Sequence, residues 1–152
     1  MLPLILILMD VFYSGQLNFV TIEEPEAHLY PYSQYKLIDL ISRVHHCHVD
    51  KNRFIVTTHS PYILTAFNNF LFSYRVAQLS ESAQVKAVIP EATWLNPKQL
   101  AAYSVREGTA ESILNESTGL IADNEIDEAS EDIAGDFDAL LEIYRAFKHG
   151  NG

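Results

Sequence analysis

The 152-residue sequence has one cysteine, few basic residues and no apolar run long enough to cross a bilayer. The single cysteine, Cys47, cannot form an internal disulfide, which is typical of proteins in a reducing compartment. The apolar opening "MLPLILILMDVFYSG" is interrupted at Asp10, short of the roughly 20 residues that a membrane-spanning helix needs, and it lacks the basic start of a signal peptide. These absences predict a cytoplasmic protein with no membrane partner.

Basic residues are scarce, because ten Lys and Arg stand against twenty Asp and Glu, for a net charge of -10. Tight binding to nucleic acid depends on Lys and Arg side chains that displace counterions from the phosphates. The charge therefore disfavours direct DNA binding by the chain as a whole. Any contact with DNA is expected to be indirect.

The first half of the chain alternates between helical and strand patterns. The sequence predicts a helix covered on every side from Leu2 to Tyr13, strands in "LNFVTIEE" and "RFIVTTHS", a helix in "PYSQYKLIDLISRVHHC", and another that begins at "SPYILTAFNNF". The first strand is a continuous run dominated by β-branched and aromatic residues, which is typical of a parallel strand buried on both faces, and the second is a short β-branched strand. The predicted fold class is α/β, with parallel strands flanked by helices.

The second half is richer in acidic residues. The segments "LFSYRVAQL" and "AQVKAVI" predict two strands of an edge hairpin, and from Pro97 on the pattern predicts helices. Residues 107–142 contain twelve Asp or Glu and no Lys or Arg, with apolar residues recurring among them, which indicates acidic amphipathic helices. We therefore predict one lobe over residues 1–90 and an acidic helical extension over residues 91–152.

Chemically active side chains follow both predicted strands. Glu23 and Glu24 end the first strand, and His59 follows the second. Because ligands bind outside the carboxyl ends of parallel strands, these side chains are expected to face one pocket. A carboxylate near Mg²⁺, a base for the attacking water and a donor to the γ-phosphate are the groups that phosphoryl transfer uses.

The paired segments "FVTIEEPEAHLYP" and "FIVTTHSPYIL" resemble the Walker B, D-loop and switch-histidine segments of ABC-type ATPase heads. The resemblance is strongest to the RecF-like, SMC-like and OLD-like ATPases of bacteria, within the AAA family. It implies that Glu23 is the acid near Mg²⁺, that Glu24 is the catalytic base and that His59 senses the γ-phosphate of ATP. Such a domain has a P-loop NTPase sheet.

The resemblance also gives roles to three further residues. It places Glu26 to Leu29 in the D-loop, so that Glu26 and His28 would lie near a nucleotide held by a partner head. Ser60 is a further candidate for nucleotide binding, with a helix cap as the alternative. His28 and His59 have structural alternatives too, since a lone histidine often only packs or bonds within its turn.

Two parts of an ABC-type head are missing from these residues. No glycine is followed by lysine, so the phosphate-binding pattern G-x-x-x-x-G-K-[ST] is absent. The signature loop expected before the first helix is absent as well. A smaller departure is Glu23, where most such heads have aspartate. The chain is therefore expected to resemble the C-terminal part of a head and to bind or hydrolyse ATP poorly alone.

Two functions remain open from the sequence. The first is part of an ATP-hydrolysing head in a DNA maintenance or defence system, with ATP and Mg²⁺ as ligands of the complete ATPase. The second is a non-catalytic module that pairs with a P-loop-bearing chain. The expected partner is that P-loop-bearing lobe, a homologous head or a second copy of the chain.

The run "HHCH", His45 to His48, carries imidazole and thiolate groups that are good zinc ligands. Consecutive residues cannot all point at one ion from a helix end, and no second ligand pair stands at zinc-finger spacing. The sequence therefore favours a polar helix terminus over a metal site.

Overall fold

The computed structural model describes residues 2–79 and 82–122. The chain divides into two compact units, residues 1–121 and 122–152, and every described element belongs to the first. The elements in chain order are α1 (Leu2–Ser14), β1 (Asn18–Glu23), α2 (Pro31–Cys47), β2 (Asn52–Thr57), α3 (Pro61–Ala77), α4 (Ser82–Val88), the 3₁₀ turns Glu91–Thr93 and Pro97–Gln99, β3 (Tyr103–Arg106) and β4 (Thr109–Ser112). None of these helices is long and apolar enough to cross a membrane.

β1 and β2 form a parallel pair, in register from Asn18 opposite Asn52 to Glu23 opposite Thr57. α2 connects them, because two parallel strands cannot be joined by a tight turn. α2 begins at Pro31 and α3 at Pro61, and proline suits the first turn of a helix since its missing N–H would have no partner there. The predicted α/β class and the parallel strands are confirmed.

The hydrophobic core lies where α2 and α3 pack together and against one side of the parallel pair. Its fully buried side chains include Ile38, Ile63, Ala66, Phe70 and Leu71, all at 0% exposure. The ring of Phe70 contacts the ring of Tyr35 at 5.5 Å between centroids. This core fixes both helices, and through them the segments that follow the two strands.

The predicted full coverage of α1 and of β1 is wrong for the part of the chain that the structure describes. In β1, Phe19 is 69% exposed, although Ile22 is buried. In α1, Leu8 is buried, whereas the exposed side chains are Leu6, Ile7, Met9, Phe12 and Tyr13. An apolar run does not distinguish an element covered on both faces from one covered on one face only.

The predicted edge hairpin of "LFSYRVAQL" and "AQVKAVI" is wrong, because both segments are helical. α3 continues to Ala77, and α4 covers Ser82–Val88. Aromatic and β-branched residues favour strands only weakly, and packing overrides that preference. Here the helical spacing of Ile63, Ala66 and Phe70 lets α3 bury one continuous face against α2.

The predicted helices after Pro97 are also wrong as far as residue 122. β3 and β4 form an antiparallel hairpin, in which Tyr103 lies opposite Ser112 and Arg106 opposite Thr109. The two-residue turn between them is Glu107–Gly108, and both residues have positive φ, as a type I′ turn requires. The remainder of the predicted acidic helices lies outside the described residues.

The segment after the hairpin is held on α3. Asn68 donates through Nδ2 to the carbonyl oxygen of Ile121 at 2.9 Å and accepts the N–H of Ile121 through Oδ1 at 2.7 Å. Leu95 and Ile121 are part of the same core as α2 and α3. These contacts are part of the first unit, which extends to residue 121.

His45 joins the end of α2 to the start of β2. Its Nδ1 lies 3.2 Å from the carbonyl oxygen of Asn52, and its ring meets Phe54 edge-on at 6.4 Å between centroids. Burial lowers the pKa of His45, and this effect is larger than the opposite effect of the hydrogen bond to the Asn52 carbonyl. The positive charge of Arg53 lowers the pKa further. Protonation of this ring therefore opposes folding.

We expect the free energy of unfolding to fall as the pH drops below about 6.5, the ordinary pKa of histidine, because the folded pKa of His45 lies lower. The stabilisation linked to the neutral His45 ring is complete above that pH. It is lost as the pH falls through the pKa that His45 has in the folded state. Urea unfolding at about pH 7.5 and pH 5.5 measures it, and His45→Gln should flatten the difference. His59→Gln, at a histidine whose side chain is 86% exposed, is the control. An unchanged pH dependence in His45→Gln would contradict this account.

Candidate functional site

The carboxyl ends of β1 and β2 lie side by side and carry the candidate catalytic residues. Glu23 ends β1 opposite Thr57, which ends β2. The N–H of Glu24 donates to the carbonyl oxygen of Thr57 at 2.9 Å, so the strand pairing continues one residue past β1. This bond fixes the backbone of Glu24 beside the segment that leads to His59.

The side chains of Glu24 and His59 meet beyond these strand ends. His59 Nε2 lies 4.0 Å from Glu24 Oε1, and the two side chains are 86% and 62% exposed respectively. An exposed ion pair at this distance contributes little to stability, even with the imidazole protonated. Both groups are therefore accessible to solvent at the end of the sheet.

Glu24 has a backbone conformation that is unfavourable for any residue other than glycine. Its φ is 43°, in the left-handed region that glycine adopts at no steric cost. His28, in the same loop, has a φ of 65°. The loop is closed by the Ala27 N–H, which donates to the Glu24 carbonyl oxygen at 2.9 Å. Strain of this kind is concentrated at functional sites, because it places a side chain where an easier conformation would not.

Replacing Glu24 with glycine should therefore not destabilise the chain. The left-handed conformation costs an L-residue roughly 1–2 kcal/mol, and the greater freedom of glycine in the unfolded chain costs about 0.4–1 kcal/mol. We expect Glu24→Gly to raise the free energy of unfolding by up to about 1 kcal/mol in urea titrations. Glu107→Gly is the matched control, because Glu107 has a φ of 46° on an exposed turn. A loss of stability specific to Glu24→Gly would show that its side chain is structural.

Glu26 ties the loop after β1 to the segment after β2. Its Oε1 accepts the backbone N–H of His59 at 2.8 Å. Its Oε2 is buried and has no hydrogen-bond partner among the described residues. Glu26 thus contacts the backbone of the candidate catalytic histidine. His28 is exposed, and within residues 2–79 and 82–122 no hydrogen bond or ion pair joins it to Glu24 or His59.

Ser60 lies next to His59 but does not face the ligand side. It is 6% exposed, and its Oγ donates to Gln34 Oε1 at 2.5 Å. Ser60 is the residue just before α3, with a φ of −102°. Its side chain makes no hydrogen bond to the first turn of that helix. Binding of a nucleotide by the Ser60 hydroxyl stays a prediction, and this geometry favours a positioning role instead.

Gln34 is the residue of this site that sequence reasoning missed. It is 8% exposed in the first turn of α2, and its Nε2 donates to the carbonyl oxygen of Leu29 at 2.9 Å. The signal that could have found it is a carboxamide one turn before the apolar residues Leu37 and Ile38, on the face of the helix that they bury.

The carboxylates at the strand ends are of the chemical type that binds the magnesium ion of a nucleotide. No group of three or more His, Cys, Asp or Glu that could bind a metal occurs within residues 2–79 and 82–122. Mg²⁺ in nucleotide sites commonly takes one or two protein carboxylates and completes its coordination with phosphates and water. Glu23, exposed at the end of β1, fits that use.

Comparison with known proteins gives a match over the first 64 residues. Neither a curated protein nor a solved structure matches the chain. A protein-family model, the AAA ATPase domain, matches residues 1–64. The matched range includes both strands and all of the candidate residues from Glu23 to Ser60. Residues 1–64 are thus similar to an AAA ATPase domain, which supports an AAA-type ATPase region in this part of the chain.

Proposed function

We propose that the chain supplies the carboxylate and histidine side of an ATP-hydrolysing site. The observation that carries the proposal is the meeting of Glu24 and His59, 4.0 Å apart and both exposed, at the neighbouring carboxyl ends of two parallel strands. That edge is where ligands bind in open parallel sheets. The family match over residues 1–64 supports an ATPase-related chemistry there.

Each residue has a distinct role in this proposal. Glu24 accepts a proton at a carboxylate oxygen from the water that attacks the γ-phosphorus, and ADP leaves as the bond to its terminal oxygen breaks. His59 donates from its ring N–H to an oxygen of the transferred phosphoryl group. Mg²⁺ near Glu23 would offset the negative charge of the phosphates. The exposed ends of these side chains leave room for a nucleotide between them and a second surface.

The second surface has to carry the phosphate cradle. No glycine in the 152 residues is followed by lysine, so the chain lacks the loop whose backbone N–H groups and lysine hold the phosphates. We therefore propose that a P-loop-bearing lobe, chain or homologous head completes the site, and we refer to that complete form as the assembled ATPase. A head of the ABC type, similar to RecF-like, SMC-like or OLD-like proteins and cytoplasmic, is the form that the sequence resemblance favours.

A role in DNA maintenance or defence rests on the same resemblance alone. The net charge of -10 agrees with indirect action on DNA through a partner. A homodimer in which Glu26 and His28 of one head approach the nucleotide of the other belongs to this proposal too.

Calorimetric titration of Mg·ATP into the purified chain tests whether the phosphate cradle lies on a different lobe or chain from the carboxylates and the histidine. We expect no tight binding, because carboxylates at a strand end do not hold phosphates without a cradle. A parallel titration of Glu24→Gln should give the same result. Tight binding together with ATP turnover by the chain alone would mean that a phosphate site exists within these residues, and the proposed division would be wrong.

A non-catalytic interaction module is the second candidate, and one observation favours it. The exposed face of α1 carries large apolar side chains, among them Met9 at 50% exposure and Tyr13 at 75%. Large apolar side chains that are exposed together on one helix favour a contact with another protein. The two candidates differ in one result. A pure interaction module predicts that changes at Glu24 leave ATP turnover by the partner intact.

A further inference from the structure

Two loops meet at the site, the first loop over residues 24–30 after β1 and the second loop over residues 58–60 after β2. Glu26 Oε1 accepts the N–H of His59 at 2.8 Å. Gln34 contacts both loops, since its Nε2 donates to Leu29 O at 2.9 Å and its Oε1 accepts from Ser60 Oγ at 2.5 Å. We call this last pair of bonds the Gln34 bridge.

We propose that Gln34 is a positioning residue for His59, because the Gln34 bridge makes the two loops move as one unit. The catalytic meaning of that unit rests on the proposed function. The mechanical coupling itself does not depend on any nucleotide.

Gln34 is suited to this role by its place in the fold. It lies in the first turn of α2, and the helix is held by the buried side chains Leu37 and Ile38. A glutamine carboxamide presents a donor and an acceptor on one plane, so a single side chain can bond both loops. Gln34 is only 8% exposed. Loss of either hydrogen-bond partner would leave a buried polar group unpaired, and the free-energy cost of that loss keeps both bonds formed.

His59 depends on such anchoring because its own side chain is 86% exposed. The imidazole gains no fixed position from burial, so its place beside Glu24 is set by the backbone on which it stands. That backbone is held on one side by the Glu26 bond to the His59 N–H and on the other by the Ser60 bond to Gln34. Loosening Gln34 should therefore loosen the bond between His59 and Glu26.

Hydrogen exchange of the His59 amide, measured by NMR on the purified chain, tests the coupling. We expect Gln34→Ala to speed this exchange by about tenfold or more through local opening. Ser60→Ala should also speed it, and the double variant should add little to Gln34→Ala, because the Ser60–Gln34 bond is already lost in that variant. Ser60→Thr keeps a hydroxyl and should retain slow exchange.

The chain offers internal controls for general destabilisation. The Ser117 N–H donates to Asn115 Oδ1 at 3.0 Å, the same kind of bond in another exposed turn, so its exchange should not change. Gln99→Ala removes an exposed glutamine and should leave His59 exchange as in the wild type. Unchanged His59 exchange in both Gln34→Ala and Ser60→Ala, or equal acceleration at Ser117, would overturn the positioning role.

A second arm separates this proposal from the proposed function. In the assembled ATPase, Gln34→Ala should lower turnover at saturating Mg·ATP without changing the dissociation constant for Mg·ATP, and Gln99→Ala should retain turnover. Faster His59 exchange with unchanged turnover would uphold the coupling and contradict the catalytic role of His59. The exchange result alone decides the coupling.

Discussion

Replacing Glu24 with glutamine should slow ATP turnover by the assembled ATPase by about 10²–10⁴-fold, the usual contribution of a general base. Glutamine keeps the size and one carbonyl oxygen of the side chain but cannot accept a proton from water. The Glu24 N–H bond to Thr57 is made by the backbone and is unaffected. The affinity for Mg·ATP should therefore stay close to that of the wild type. Single-turnover hydrolysis and equilibrium nucleotide binding measure the two quantities separately.

Glu107→Gln is the matched control for this experiment. Glu107 is an exposed glutamate with a φ of 46°, close to the 43° of Glu24, but it lies in the turn between β3 and β4. Its replacement should leave turnover unchanged. Turnover by Glu24→Gln within a few-fold of the wild type would exclude a catalytic base at this position and favour the interaction module.

Replacing Phe70 with alanine should lower the free energy of unfolding by about 3–5 kcal/mol, because the ring is removed from a packed core. Phe70 is 0% exposed, and its ring contacts Tyr35. Since domains are commonly stable by only about 5–15 kcal/mol, the loss should be evident as a large shift of the urea midpoint.

Phe72→Ala separates the observed helix from the strand that the sequence predicted here. Phe72 is 54% exposed on α3, so its truncation should cost less than about 1 kcal/mol. In the predicted strand over residues 71–79, residues two apart share a face, and Phe72 and Tyr74 would be buried together. In a helix they point in nearly opposite directions. Equal losses for the two variants would contradict the continuation of α3 beyond Phe70.

The site was predictable from the sequence as far as it depends on strand pairing. Glu23, Glu24 and His59 each follow a β-branched run, and parallel pairing brings the ends of such runs together whatever the rest of the fold is. The bond between Glu26 and the His59 backbone, and the two bonds of Gln34, depend on the loops between elements. Sequence spacing does not determine loop geometry, so these contacts could not be derived.

The errors beyond Phe70 have a related cause. Phe72, Tyr74 and Val76 have strand-favouring side chains, yet packing of α3 against α2 decides their conformation. The hairpin of β3 and β4 is mostly exposed and so lacks the buried alternation that identifies a strand. Its strongest signal was Glu107–Gly108, which is less typical of a type I′ turn than Asn-Gly or Asp-Gly.

The most direct test of the central claim is paramagnetic broadening of histidine ring protons by Mn²⁺·ATP in the assembled ATPase. His59 follows the end of β2, whereas His45 contacts Asn52 at its start. The six residues of this strand span about 20 Å, which makes His45 an internal reference. Our account predicts strong broadening of His59 and little of His45. Equal broadening of both rings, or broadening of His45 alone, would show that the nucleotide does not bind at the carboxyl ends of the strands.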